Sequence, residues 1–126
     1  MSLPLAIKTM LHGVTGIANS AITYGGRPQG GAIPCVTFTV SGNIPISIGA
    51  TPIRRADVEI RSTAFTAEEA QALSAEVEQE ISTGTFSSLS FMGVYNLLSI
   101  LEAPVPTLGD EAPTYTARTS FYIVYR

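Results

Sequence analysis

Two periods, one helical and one alternating, divide the chain into elements. Leu3, Ile7, Met10 and Leu11 fall on one helical face; Ser2 is placed to accept from unpaired amides, Pro4 fits a first turn and Gly13 is placed to stop the helix. The pattern decays over residues 14–21, a short strand is expected at 21–24, and residues 25–31 are dense enough in glycine, with Pro28, to read as a loop. Residues 35–40 alternate apolar with small polar side chains, which predicts a half-buried strand with Val36, Phe38 and Val40 facing the core. Ser41, Gly42 and Asn43 predict a bend. Residues 44–48 alternate again, but Pro45 limits that stretch to an edge strand or extended arm.

Residues 54–65 read as a firmer strand, with Ala56, Val58 and Ile60 on one face and Asp57, Glu59 and Arg61 on the other. Thr66-Ala67-Glu68-Glu69 is a capping box that opens a helix, and Ala70, Leu73, Val77 and Ile81 form its apolar stripe up to a stop at Thr83-Gly84. Its outer face carries Glu68, Glu69, Glu76 and Glu80 with no Lys or Arg in the helix, so Glu76 and Glu80 repel at i,i+4. Residues 91–101 fit both periods: Val94, Leu97, Leu98 and Leu101 make a helical stripe, while the neighbouring residues favour a strand through 96–102. Three prolines make residues 103–113 a loop, and residues 115–126 alternate as a final strand, with Phe121, Ile123 and Tyr125 on one face and Tyr122, Val124 and Arg126 on the other. These elements predict an α/β (α+β) fold, a mainly antiparallel or mixed sheet packed against two helices.

Composition narrows the function. With 126 residues, 45% of them hydrophobic and 13% charged, the chain can bury one core and is neither disordered nor divided, so residues 1–126 read as one domain. Seven basic against ten acidic residues give a net charge of −3, which argues against gripping nucleic acid by counterion release. A charged fraction this low with a mean hydropathy of +0.29 predicts that part of the surface meets other chains. The lone Cys35 excludes an intramolecular disulfide, the first residues lack a secretory pattern, and no apolar run reaches a membrane span, so a soluble protein made in a reducing cytosol is expected.

Candidate chemistry is sparse. Cys35 and His12 could form a nucleophilic pair, but a small buried hydrophobe and an exposed helix-end imidazole explain them better; two such ligands are too few for zinc. The carboxylate pairs Glu68/Glu69, Glu76/Glu80 and Asp110/Glu111 lie where water should solvate them. Gly25, Gly26, Gly30 and Gly31 lack the Lys and Ser/Thr of a phosphate loop. Arg54-Arg55 fits an acidic partner and a plain solvated strand start equally well. Neither a catalytic site nor a metal or cofactor is expected.

The order of elements carries more information: a helix, a Gly-Arg-Pro loop, a strand opening Ile33-Pro34-Cys35-Val36, the strand Arg55-Ala56-Asp57-Val58-Glu59-Ile60-Arg61, the capped Thr66-Ala67-Glu68-Glu69-Ala70 helix, and a final Phe121-Tyr122-Ile123-Val124-Tyr125. Over nearly the whole chain this resembles the tail terminator (tail-to-head joining, or tail completion) proteins of long-tailed bacteriophages. The resemblance implies a non-enzymatic virion protein, assembled in the host cytoplasm, that forms a homohexameric ring on the head-proximal end of the tail tube. Its partners would be copies of itself, the tail tube protein and the head-completion or connector protein, with DNA only passing through the ring and no membrane. In such a ring Glu69, Glu76 and Glu80 on the acidic helix would meet Arg54, Arg55 and Arg118 of a neighbour, with residues 41–53 and 103–114 as docking arms. The alternatives are another tail or neck ring subunit, or a dimeric ligand-binding or small enzyme domain with a pocket of Phe38, Phe91, Tyr95 and Tyr122.

Overall fold

The computed structural model describes residues 3–14, 17, 21–25, 34–50, 52–83, 91–102 and 114–126. In chain order they form α1 (Leu3–Leu11), β1 (Ile22–Tyr24), β2 (Cys35–Pro45), β3 (Arg54–Ala64), α2 (Ala67–Thr83), β4 (Phe91–Leu101) and β5 (Tyr115–Tyr125). The sheet order is β1-β2-β3-β5-β4. β1 runs parallel to β2 and every other pairing is antiparallel, so this is the expected mixed sheet with two helices. Ser2, Gly84, residues 26–31 of the expected glycine-rich loop and residues 103–113 lie outside the described residues.

Both helices pack on one face of the sheet. α1 buries Leu3, Ala6, Ile7, Met10 and Leu11, one more than the expected stripe. α2 begins as the capping box predicts: the Thr66 hydroxyl accepts from the Glu69 amide at 3.2 Å. Its stripe of Leu73, Val77 and Ile81 meets Val36, Phe38, Val58, Ile60, Phe121 and Ile123 in one core, and Ala70 packs on Ala64 and Ala117 in a smaller cluster beside it. β3 and β5 pair in unbroken register from Arg54↔Tyr125 to Ala64↔Tyr115, so alternation puts all their apolar inward residues on the helix face.

Two strands depart from their sequence patterns, and both contain a bulge. β2 continues through residues 41–43 instead of bending there: Ser41 pairs with Asp57 and the next pair is Ile44 with Arg55, with Gly42 at φ 61°. β4 starts at Phe91, five residues before the expected 96. Its register skips between Phe91 and Gly93 and again between Tyr95 and Leu98, with Asn96 at φ 56°. Each inserted residue moves later side chains to the other face, which is why Val94, Leu97, Leu98 and Leu101 imitate a helical stripe. Thr37, expected among the small polar positions of a half-buried strand, is buried, and Cys35 is the buried hydrophobe expected.

Candidate subunit interface

Among the described residues no helix covers the sheet face turned away from α1 and α2, and alternation fixes what it presents. β3 contributes Arg55, Asp57, Glu59 and Arg61, β5 contributes Arg118, Ser120 and Tyr122, and beside them on β4 lie Tyr95, Leu98 and Ile100. Arg55 places its guanidinium 3.9 Å from the Tyr122 ring centroid and one nitrogen 3.6 Å from Asp57. Tyr122 stacks in turn on Tyr95, with centroids 5.1 Å apart and planes inclined by 20°. A cation and two aromatic rings thus span three strands on an exposed surface, and Arg and Tyr are the residue types that anchor protein interfaces.

At the other end of this face Arg61 and Arg118 stand directly opposite each other, an arrangement that repels on its own. Glu102, just past β4, resolves it. Its amide donates to the Thr116 carbonyl at 2.8 Å, and its carboxylate lies 3.3 Å from Arg61 and 3.8 Å from Arg118. Glu59 takes the remaining Arg61 Nε–H at 2.7 Å. These pairs are solvent-exposed, so they set the face's charge pattern more than its stability.

The predicted interface residues fall on opposite sides of the domain. Arg55 and Arg118 project from the open face, whereas Arg54 points the other way at the start of β3, opposite Tyr125. Glu69 is exposed and Glu76 and Glu80 are half-buried on α2, behind the sheet. Among the described residues Arg55 pairs with Asp57 and Arg118 with Glu102.

Between α2, β4 and β5 lies a polar cluster that the sequence did not disclose. Ser74 and Thr119, both buried, have their hydroxyls 3.1 Å apart; Ser99 is 2.9 Å from Thr119 and donates to Glu78 and stands 3.3 Å from Ser74. The cluster floors a groove of about 260 Å³ whose walls include Gln71, Ala75, Ile100 and Leu101. Beyond the sheet, the β2–β3 connection is a closed arm: the Ile46 amide donates to the Ile53 carbonyl at 2.8 Å and the Ile53 amide to the Ser47 hydroxyl at 2.7 Å. Ile44 and Ile46 on it are about half exposed and Ile48 wholly so.

No family model matches the chain, and no curated protein matches it. Solved structures do. A chain from "Virion of native gene transfer agent (GTA) particle" aligns with a TM-score of 0.66, over 98% of this chain and 94% of that one, at 15% identity. The two chains share a fold. At this identity the likeness is one of fold, and since both chains are covered almost end to end, the shared fold accounts for the whole domain.

Within that fold the alternative pocket does not form. Phe38 lies in the core on the helix face, whereas Tyr95 and Tyr122 stack on the open face, so the sheet separates them; the Phe91 side chain lies outside the described residues. Cys35 is buried in β2 and His12 is exposed beyond α1. Among the described residues no three His, Cys, Asp or Glu are grouped to hold a metal, and no helix is long and apolar enough to cross a membrane. The stack, the Glu102 bridge and the hydroxyl cluster escaped sequence reasoning because each joins residues from strands whose register the sequence does not state.

Proposed function

We propose that this chain is a structural, non-enzymatic virion subunit, a tail terminator that closes into a homohexameric ring on the head-proximal end of a tail tube and offers a surface to the head connector. The observation that carries the reading is the end-to-end fold likeness to a chain of a gene transfer agent virion. It agrees with the element order that resembles terminators, from the first helix to the final Phe121–Tyr125 strand. The surface supports it too. A small monomer rarely leaves Tyr95, Leu98, Ile100, Ile46 and Ile48 uncovered together, and a subunit with a neighbour on each side has use for them. Arginines on the open face and glutamates on α2 suit heterologous contacts, in which one copy's sheet side meets the next copy's helix side. DNA passes through such a ring without being gripped, in keeping with a net charge of −3.

The test is electron microscopy of particles made with and without the gene. Loss of the protein should leave tails of uncontrolled length that fail to join heads, and a tagged copy should sit at the head-proximal tail end. A copy found along the tube or in the neck would assign it to another ring, and its absence from particles would overturn the virion reading.

A further inference from the structure

We infer that the β2–β3 arm of one copy docks into the groove between α2 and β4 of the next copy. This rests on the proposal that the chain assembles with itself, and it names the contact. The arm is built rather than slack: the Ile46–Ile53 and Ile53–Ser47 hydrogen bonds close it, and Ile44 pairs with Arg55 at its base. Ile44, Ile46 and Ile48 follow one another at alternate positions along the arm, and all three are exposed. The chain's own fold leaves Ile48 fully uncovered.

The groove supplies the matching surface. Ala75 and Leu101 wall it with side chains on the helix side of the sheet, and Leu101 is an exposed apolar residue. Its polar floor is already satisfied, because Ser74, Ser99, Thr119 and Glu78 bond to one another. An aliphatic side chain entering there leaves no buried hydroxyl unpaired. Charge selects the same occupant. Arg54 and Arg55 open β3 at the arm's base and Arg126 follows β5, which pairs with that end of β3, while Glu78 borders the groove on a helix with no cation. Arm and groove lie on different parts of one chain, the arrangement a heterologous contact needs to propagate from copy to copy.

Disulfide trapping tests it. In a Cys35→Ser background, Ile48→Cys and Ala75→Cys are introduced together or singly at exposed positions, and the folded proteins are oxidised at about 1 mM, which populates even weak contacts. The double variant should give a covalent ladder beyond the dimer, whereas a mixture of the two single variants should stop at dimers. Moving the second cysteine from Ala75 to exposed Leu5 should abolish the ladder. The same oxidation is applied to particles that contain the protein. A double variant that stays monomeric in both settings, or that ladders equally well through Leu5, overturns the docking. The location of the protein in particles, read independently, decides the terminator proposal, so the two failures are distinguishable.

Discussion

Leu73 and Ser74 are consecutive, both buried beneath α2, and truncating each to alanine should have very different costs. Leu73 retains 6% of its exposure and packs in the main core, so Leu73→Ala withdraws nearly its full transfer free energy. Three carbons at about 0.8 kcal/mol each give roughly 2.4 kcal/mol before any cavity is counted. A partly collapsed cavity puts the total in a range of roughly 2–5 kcal/mol. Ser74→Ala removes two hydrogen bonds but leaves Ser99 and Thr119 paired at 2.9 Å. Alanine is also the better helix former by about 0.5 kcal/mol, so the net loss should be about 1 kcal/mol. Urea titrations followed by circular dichroism measure both. With a slope of about 1.5 kcal/mol/M, a 3 kcal/mol loss lowers the midpoint by about 2 M, and Ser74→Ala should lower it by less than about 1 M. A Ser74→Ala variant at least as destabilised as Leu73→Ala would refute the view that apolar packing, not the hydroxyl cluster, holds α2 to the sheet.

Thr66→Ala should cost about 1 kcal/mol in the same titrations, since the Glu69 amide loses its acceptor at the helix start. In the proposed ring, reversing Arg54 and Arg55 to Glu should leave the circular dichroism spectrum unchanged and weaken assembly in electron micrographs of tails, because like charge would then face the α2 of the proposed neighbour; normal, length-controlled tails would refute the charge register. Cys35→Ser and His12→Ala should each leave the joining of heads and tails intact in a complementation assay. Complete loss of joining with the variant still folded would restore the catalytic pair.

What could be read from the sequence divides along a physical line. β3, β5 and α2 were legible because their apolar residues keep an unbroken period from end to end, and Thr66 and Glu69 mark the helix start. β2 and β4 were legible only where the period held. At Gly42–Asn43 and at Asn96–Leu97 an extra residue changes the phase, so one strand reads as a bend with an arm and the other as half a helix. The candidate interface was partly visible. The acidic helix and the Arg54-Arg55 pair are local runs, but the Arg55–Tyr122–Tyr95 stack and the Glu102 bridge depend on register between strands distant in sequence. The hydroxyl cluster gathers single Ser and Thr residues from three elements, each unremarkable in its own segment.

The sheet order has a consequence for synthesis. β5 is translated after every other described element, yet it lies between β3 and β4. Until it emerges from the ribosome, β3 has a bare edge and β4 has no described partner strand, and the apolar face of β5 is missing from beneath α2. The contacts that close the sheet are therefore non-local, so folding waits for nearly the whole domain and proceeds at the slower rates of such topologies. A nascent chain cut short before β5 leaves the middle of the sheet empty and is a substrate for proteases, so an assembly built from this chain is protected against incorporating unfinished copies.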